Sequence, residues 1–317
     1  MITWGMVGNS HDASLAVFDN DKLLWASMAK DFSGVHNDPD FNWTQLEVAR
    51  QSFGPPSKVI WYELPFLKTL RQWRAGQGWL WKENKIKTYL EQWDITCPIE
   101  YTKHHTSHAA YAYYTQPHDD CAVICLDSIG EFETLTIWHG KNGKLKKIHS
   151  QGYPHSLGLF YSAMTQRLGL VPQRDEYMVA ALAEDGRRDR YSKLLLKEMV
   201  DLRYGEPTIR MKHNLHRGCR WWRKEIENRY DLAAAVQNVF EHCLINLSDW
   251  AFINTKSHNL ALAGGGALNK QAVDIIRPQW TTVHVPQNPG DPGSCIGAVL
   301  AKTKTKVSLD KVWYKKV

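Results

Sequence analysis

The segment from Lys103 to Tyr114, KHHTSHAAYAYY, carries the side chains of this chain that are best suited by type and spacing to chemistry. His104 and His108 are four residues apart, and the alanines that follow favour a helix. In a helix both imidazoles project from one face and can share a metal ion, whereas His105 is turned by about 100° and points elsewhere. Histidines at this spacing are also found as ordinary buried residues, so a metal site requires ligands from other segments.

Two aspartates are candidates for those ligands. Asp127 ends the apolar run CAVICLD, which predicts a buried strand, and Asp291 lies in the loop NPGDPG ahead of a predicted helix. A buried carboxylate needs a counter-charge or a metal, and strand ends in open α/β sheets are where such sites form; Asp127 alone could equally cap a turn. Two histidines with one or two aspartates suit Fe²⁺, Mn²⁺ or Zn²⁺, and we expect Fe²⁺.

Two further segments could act on a substrate. Gly264, Gly265 and Gly266 separate an apolar strand from a helix, an arrangement that presents backbone N–H groups to a phosphate. His11 and Asp12 follow a turn of small residues and could transfer a proton or contact a phosphate. A glycine turn also occurs for packing reasons alone, and Asp is a common turn residue.

The elements that must position these residues are strands and helices in a mixed order, which predicts an α/β protein. The N-terminus predicts a series of β-hairpins, and residues 43–53, 156–170 and 231–255 predict helices. Residues 62–95, rich in Trp, Lys and Arg, predict an insertion over the mouth of a site, helical around a break at Gly76 to Gly78. Residues 185–229 predict a second, basic insertion without clear periodicity.

Composition restricts the class of protein. The chain has 317 residues, 43% apolar and 23% charged, which is typical of a globular protein with one large domain or two lobes. No segment resembles a signal peptide or a membrane span, so we expect a cytoplasmic protein. The six cysteines are scattered without a CxxC pair, which favours reduced thiols over disulfides or a zinc cluster.

Positive charge is unevenly distributed along the chain, whose net charge is +6. Seven Lys or Arg and two Glu lie between Arg210 and Arg229, and six Lys and one Asp between Lys302 and Lys316. Cations interleaved with tryptophans suit a polyanion with stackable bases, although a solvated surface and a basic tail explain the pattern as well. The candidate nucleic-acid contacts are Arg217, Arg220, Trp221, Trp222, Arg223 and Lys224.

Six segments in this order resemble the metal-binding domain of the NodU/TobZ-type O-carbamoyltransferases. They are SHDASLAVF, HHTSHAAYAYY, VICLDSIGE, SLGLFYSAMTQRLG, ALAGGGALN and NPGDPGSCIGAVLA. The resemblance implies the ASKHA fold (actin, sugar kinase and heat-shock ATPase type), an α/β fold of two RNase H-like lobes with a ligand cleft between them. We expect the lobes at residues 1–150 and 151–317.

The resemblance also implies roles for the candidate residues. His104, His108 and Asp291 would hold the metal, with Asp127 close by on the metal or the nucleotide. Gly264, Gly265, Gly266 and Asn269 would contact ATP, which binds with Mg²⁺. His11, Asp12 and His105 are the candidate catalytic residues. In this family a carbamoyl group from carbamoyl phosphate is activated with ATP as carbamoyl-adenylate and passed to a hydroxyl, whose proton an imidazole such as that of His11 could take.

Family members usually continue into a YrdC-like domain that makes the adenylate, and no motif of that domain is present in this sequence. We therefore expect this chain to activate carbamoyl phosphate itself or to receive the adenylate from a separate YrdC-like subunit. The expected acceptor is a hydroxymethylated pyrimidine, 5-hydroxymethylcytosine, in DNA, as for a virus-type (phage) base-modifying enzyme in the host cytoplasm. The alternatives are a small acceptor, such as a sugar, antibiotic or nucleotide, and a non-catalytic subunit that binds nucleotide and DNA.

Overall fold

The computed structural model describes residues 1–314, so Lys315 and Lys316 of the basic C-terminal cluster lie outside the described residues. It contains two five-stranded sheets and one short hairpin. The strands are β1 (Ile2–Val7), β2 (Ser14–Asp19), β3 (Lys22–Met28), β4 (Lys58–Trp61), β5 (Ile99–Tyr101), β6 (Cys121–Gly130), β7 (Glu133–Lys141), β8 (Lys144–Gly152), β9 (Val200–Leu202), β10 (Ile209–Met211), β11 (Asn259–Ala263) and β12 (Thr282–His284).

The two sheets repeat one topology. The first has the order β3-β2-β1-β4-β5 and the second the order β8-β7-β6-β11-β12. In each, three consecutive strands form an antiparallel meander, and two later strands add in parallel on the other side of the first strand. The repeat is the pair of similar lobes expected from the sequence, and it makes β1 equivalent to β6 and β5 equivalent to β12.

Helices cover both sheets. They are α1 (Lys30–Ser33), α2 (Trp43–Phe53), α3 (Pro65–Arg74), α4 (Ile86–Glu91), α5 (His104–Tyr114), α6 (Leu157–Arg167), α7 (Glu176–Ala183), α8 (Asp189–Glu198), α9 (Arg229–Thr255), α10 (Lys270–Ile276) and α11 (Ser294–Thr303). The helices predicted at 43–53, 104–114 and 231–255 are confirmed. Among the described residues, no helix is long and apolar enough to cross a membrane.

The alternation of β6 shows how the layers are stacked. Cys121, Val123 and Cys125 belong to the core that contains the first sheet, α5 and α11. Ala122, Ile124 and Leu126 belong to the core beneath α6 to α10. Because successive side chains of a strand point to opposite faces, β6 is buried on both sides. The helices α5 and α11 therefore lie between the two sheets.

Three features differ from the sequence-based expectation. The strand expected to end at Asp127 continues to Gly130. Strands β6 to β8 belong to the second sheet, so the division between the sheets falls before Cys121. The sequence-based boundary between the lobes was at residue 150, and the division into domains stays a prediction. The basic insertion contains α8 and the β9–β10 hairpin. Helix α8 was missed because its only buried residues are Ser192 and Leu195, which gives it a narrow apolar face.

Candidate metal centre

Two histidines enter the space between the sheets from the first turns of α5. The helix begins at His104, directly after β5 and the extended residue Lys103. The carboxylate of Glu131 accepts hydrogen bonds from the backbone N–H of Leu64 at 2.6 Å and of His104 at 3.4 Å, which fixes the start of the helix. A Cβ on Gly130 would lie 2.1 Å from Cδ2 of His104, so only glycine leaves room for this ring.

Two aspartates meet these histidines from other elements. Asp127 lies on β6, two residues after Cys125. Cys125 and Ala263 are the last pair in the parallel pairing of β6 with β11. Asp291 lies in the turn that leads into α11. The four side chains of His104, His108, Asp127 and Asp291, called here the candidate metal centre, place one donor atom each within 4.8 Å of one another.

The distances within the centre are those of side chains directed at a common point. The Nε2 atoms of His104 and His108 lie 3.0 Å apart. Oδ1 of Asp291 lies 3.3 Å from Nε2 of His104 and 3.2 Å from Nε2 of His108, and Oδ2 of Asp127 lies 3.3 Å from Nε2 of His104. Both histidines are buried. The other ring nitrogen of His108, Nδ1, lies 3.2 Å from Oγ of Ser294, which orients the ring.

The electrostatics of the centre reflect two carboxylates, the buried Asp291 and the partly buried Asp127, that face imidazole rings. Burial by itself would lower the pKa of His104, but Asp291 and Asp127 outweigh it and raise the pKa well above its usual value. Burial would likewise raise the pKa of Asp127 and of Asp291, and the imidazoles reverse this and hold both values low. No Lys or Arg forms an ion pair with either carboxylate within residues 1–314.

This donor set fits a divalent metal ion. Two imidazole nitrogens and two carboxylate oxygens are a ligand combination used for Fe²⁺, Mn²⁺ and Zn²⁺. Two Nε2 atoms facing each other at 3.0 Å, with carboxylates on the same side, need a shared cation or proton. The carboxylates open onto a cleft cavity of about 1210 Å³ that both line, so coordination positions remain accessible from solvent.

His11 and Asp12 lie in the same cavity, at the turn between β1 and β2. Nδ1 of His11 lies 3.1 Å from Oδ2 of Asp12, and Nε2 lies 3.5 Å from Oδ2 of Asp291. Desolvation in the cavity would lower the pKa of His11, but Asp291 and Asp12 raise it to about 9. His11 and Asp12, which the sequence predicted as a pair, therefore lie next to the candidate metal centre.

His105 faces a different direction. Its Nδ1 lies 3.0 Å from Oγ1 of Thr136 on β7, and its Nε2 is buried without a partner among the described residues. Burial and the neighbouring histidines lower the pKa of His105 to about 3. It does not line the cleft cavity, so the structure separates it from the other two candidate catalytic residues.

The glycine turn lies beside the centre. The backbone N–H of Gly265 lies 3.4 Å from Oδ1 of Asp127, and Gly265 and Gly266 line the cavity. Asn269 also lines it, but its side chain caps α10 through the N–H of Ala272 and pairs with Gln237. The expected helix after the turn is present, with a 3-10 turn from Gly265 to Leu268 before it.

One of the six candidate nucleic-acid contacts is buried, and the other five are exposed. Trp222 is buried and donates to Glu198, and Arg223 pairs with the same carboxylate. Arg220, Trp221 and Lys224 are exposed, and Arg217 alone of the six lines the cleft cavity.

Sequence reasoning missed several charged residues of the site. Lys68 forms a buried ion pair with Glu63 at 2.7 Å and donates to the carbonyl of Asn9 at 3.2 Å. Glu131 and Arg71 were also missed. None of them stands in a recognisable local motif, and their partners are distant in the sequence or belong to another element.

Comparison with known proteins identifies the family. Residues 75–300 match the family described as "Carbamoyltransferase N-terminus". An uncharacterised protein of Synechocystis sp. is 27% identical over 94% of this chain and 56% of its own length. The nodulation protein NolO of Bradyrhizobium diazoefficiens is 29% identical over 52% of this chain and 31% of its own length. The chain thus spans about half the length, or less, of these relatives.

Solved structures support the fold. Full-length HypF, in a phosphate- and nucleotide-bound form, has a TM-score of 0.53 and 14% identity over 99% of this chain and 47% of its own. The activator of 2-hydroxyisocaproyl-CoA dehydratase from Clostridium difficile, with bound ADPNP, has a TM-score of 0.52 and 11% identity over 96% of this chain and 94% of its own. The predicted ASKHA fold is confirmed, and the chain belongs to the carbamoyltransferase N-terminus family.

Proposed function

We propose that the cleft transfers a carbamoyl group from carbamoyl phosphate to a hydroxyl group of an acceptor, with ATP and Mg²⁺ as further ligands. The observation that supports this most is the convergence of the candidate metal centre at a cavity that Gly265 and Gly266 of the glycine turn also line. Family membership supports the type of group transferred.

The residues of the centre have distinct tasks in this proposal. His104, His108, Asp127 and Asp291 hold a divalent metal ion, Fe²⁺ before Mn²⁺ or Zn²⁺. When bound, such an ion supplies Lewis-acid stabilisation of negative charge on a carbonyl or phosphoryl oxygen. Within the glycine turn, Gly265 and Gly266 offer backbone N–H groups to the nucleotide phosphates, since the N–H of Gly264 donates to the carbonyl of Pro289. Asn269, as an N-cap, positions the helix that follows.

His11 is the group that moves the proton. Asp12 holds Nδ1 of the ring, which leaves Nε2 directed toward Asp291 and the cavity. In its neutral form the imidazole can take the proton of an acceptor hydroxyl beside Nε2 as the new C–O bond to the carbamoyl carbon forms. The bond from that carbon to the phosphate oxygen breaks in the same step, and phosphate leaves, or AMP where the donor is carbamoyl-adenylate. His105, which is buried against Thr136, supports the helix that carries the metal ligands and does not contact the substrate.

For the acceptor we propose the hydroxymethyl group of a modified pyrimidine, 5-hydroxymethylcytosine, in DNA. Exposed tryptophans of the first insertion, Trp73, Trp79 and Trp81, could stack bases, and a base in a duplex would be flipped to reach the cleft. A small acceptor, such as a sugar, antibiotic or nucleotide, is the second candidate, since a cavity of this volume can hold one beside the donor. A separate YrdC-like subunit as the source of carbamoyl-adenylate belongs to the same proposal.

Mass spectrometry tests this function. The protein is incubated with carbamoyl phosphate, ATP, Mg²⁺, Fe²⁺ and DNA that contains 5-hydroxymethylcytosine, and the nucleosides are then analysed. A nucleoside heavier by one carbamoyl group, absent with His108→Ala, is the expected product. If synthetic carbamoyl-adenylate also yields no product, on DNA or on small acceptors, the proposed transferase activity is wrong, and the reading as a non-catalytic nucleotide- and DNA-binding subunit gains support. A product with the adenylate alone would show that activation takes place elsewhere.

A further inference from the structure

One part of the cavity wall is built by the two insertions. Arg71 lies on α3 in the first insertion, and His216 and Arg217 lie in a loop of the second. All three line the cleft cavity and are called here the basic wall. The insertions approach each other at this point, because a Cβ on Gly76 would lie 3.6 Å from Nη2 of Arg217.

The charge of the basic wall is not neutralised by protein carboxylates. Neither Arg71 nor Arg217 forms an ion pair within residues 1–314, whereas Arg188 pairs with Glu241 at 2.5 Å. Nη1 of Arg71 donates to the amide oxygen of Gln77 at 2.9 Å, and its Nε is buried without an acceptor in the described part of the chain. A buried guanidinium donor without a partner is costly unless a ligand supplies one.

The three side chains are close enough to affect one another. Burial, and then the charges of Arg71 and Arg217, lower the pKa of His216. Burial also lowers the pKa of Arg71, an effect that Glu63 opposes. Glu63 itself is already paired with Lys68. The positive charge at this wall is therefore concentrated and lacks a protein counter-charge of its own.

Both elements that carry the basic wall are held in place. On α3, Lys68 donates to the carbonyl of Asn9, two residues before His11. Residues three apart on a helix are separated by about 4.5 Å along its axis, so Arg71 lies one turn farther along α3 than this contact. The wall is thus tied to the segment that carries the proposed base.

The loop of the second insertion is anchored on both sides of its cations. Leu215 and Cys219 are buried in the core beneath α6. Gly218 has a φ of 82° and packs on Gln166, whose Oε1 would lie 1.8 Å from a Cβ at this position. The ring of His216 packs edge-on against Tyr153 with centroids 5.9 Å apart. His216 and Arg217 therefore project into the cavity from a fixed backbone.

We propose that the basic wall binds a phosphate group of the acceptor, so that the acceptor is a phosphorylated nucleotide unit, free or within a strand. The proposal rests on the proposed function in that the acceptor occupies this cleft. A guanidinium matches the geometry of a phosphate and binds it by two parallel hydrogen bonds. A cationic aminoglycoside, in contrast, would be repelled by two unpaired arginines.

The size of the cavity leaves room for a second ligand beside the donor nucleotide. Its volume of about 1210 Å³ exceeds the roughly 300–1000 Å³ that holds one small ligand. The donor nucleotide is assigned to the glycine turn, on the second sheet. The wall, on the insertions, is therefore available to a second ligand.

Binding measurements with a matched pair of ligands test this inference. The probes are 5-hydroxymethyl-2′-deoxycytidine 5′-monophosphate and the same nucleoside without phosphate, titrated calorimetrically into the full chain. Arg71→Gln and Arg217→Gln should each weaken binding of the monophosphate by about tenfold or more and leave the nucleoside unchanged. Arg74→Gln, an exposed arginine on the same helix that does not line the cavity, is the charge-matched control.

The other outcomes identify what the wall does instead. Weaker binding of carbamoyl phosphate, with unchanged monophosphate binding, would assign the wall to the donor and overturn the inference. Equal losses for the monophosphate and the nucleoside, or for Arg74→Gln as well, would also overturn it, since they indicate a general effect on the cleft. Because binding is measured without turnover, a protein that binds the monophosphate through the wall but transfers no carbamoyl group would contradict only the proposed function.

Discussion

Gly297 on α11 lies directly against the backbone of Ser107 on α5, and a Cβ at Gly297 would come within 1.9 Å of the Ser107 carbonyl oxygen. Helix α5, which carries His108, and helix α11, which follows Asp291, are therefore in backbone contact. This contact sets the separation of the two ligands, because each lies within two turns of it. A larger residue at 297 must move one helix away from the other.

Gly297→Ala should accordingly weaken metal binding and lower stability. The displaced backbone separates Asp291 from His108, and overpacking of a close helix pair costs about 1–3 kcal/mol of unfolding free energy. Metal affinity, measured by competition with a chromophoric chelator, should fall at least tenfold. Lys302→Ala, an exposed site on the same helix, is the control. Unchanged affinity in Gly297→Ala would show that the helix spacing does not control the centre.

Removing single donors of the candidate metal centre should abolish stoichiometric metal binding. His108→Ala and Asp291→Ala each take one of four ligands and leave the remaining charges unbalanced. Elemental analysis after dialysis against Fe²⁺ or Zn²⁺ should give about one ion per chain for the unmodified protein and much less for the variants. His105→Gln, adjacent but directed at Thr136, should retain the ion. Metal retention by all variants would contradict the centre.

Chelation should destabilise the fold, since an ion bound only by the native state adds stability by mass action. The melting temperature should drop in EDTA, and it should recover on addition of Mn²⁺ or Zn²⁺. The drop should be absent in His108→Ala. An identical shift in that variant would mean that the stabilising ion binds elsewhere.

His11→Ala should reduce turnover without removing the metal. Loss of a general base costs about 100-fold or more in kcat, and Asp12→Asn should cost less because it only releases Nδ1 of the ring. Both variants should keep their metal content, measured as above. Asp21→Asn, in an exposed hairpin turn, is the matched control. Normal kcat in His11→Ala would assign the proton transfer to another group.

His284 provides a pH test away from the centre. Burial and the charge of Lys306 lower the pKa of His284 from 6.5 to about 4. Between pH 6.5 and pH 4 the unfolded chain binds a proton at His284 more readily than the folded protein does. The full stability of the fold is therefore present above pH 6.5, and part of it is lost as the pH falls toward 4. Chemical denaturation should show that the free energy of unfolding falls by on the order of 1–2 kcal/mol between about pH 7 and pH 5. The fall should be smaller in His284→Gln. An unchanged slope would contradict this, and exposed His258→Gln is the control.

The candidate metal centre could be predicted because its signals are local. His104 and His108 share one helical face, so their spacing alone places them together. In the sequence, Asp127 ends an apolar run and Asp291 lies in a loop of small residues ahead of a helix, although the strand of Asp127 continues to Gly130. The prediction that His105 points elsewhere follows from the same periodicity, and its inclusion among the catalytic candidates conflicts with the contact to Thr136.

The basic wall could not be predicted because its members come from two insertions. Arg71 and Arg217 are brought together by tertiary packing that neither local sequence records. The basic run after Arg210 could be interpreted only in part from the sequence for the same reason, and nucleic-acid contact by its exposed residues stays a prediction. Trp222 and Arg223 look like ligand contacts in sequence, yet Glu198 on α8 engages both. That helix was not predicted, so its carboxylate could not be taken into account.

The repeated sheet topology has a consequence for how the centre is assembled. His104 and His108 follow the fifth strand of the first repeat, and Asp291 precedes the helix that follows the fifth strand of the second. Asp127 lies on the first strand of the second repeat. One half of the molecule therefore contributes only nitrogen donors and the other only oxygen donors. Cleavage of the chain between Thr115 and Asp120 would give two fragments, each with an incomplete set of ligands. Recovery of metal affinity when the fragments are mixed would therefore measure their reassociation.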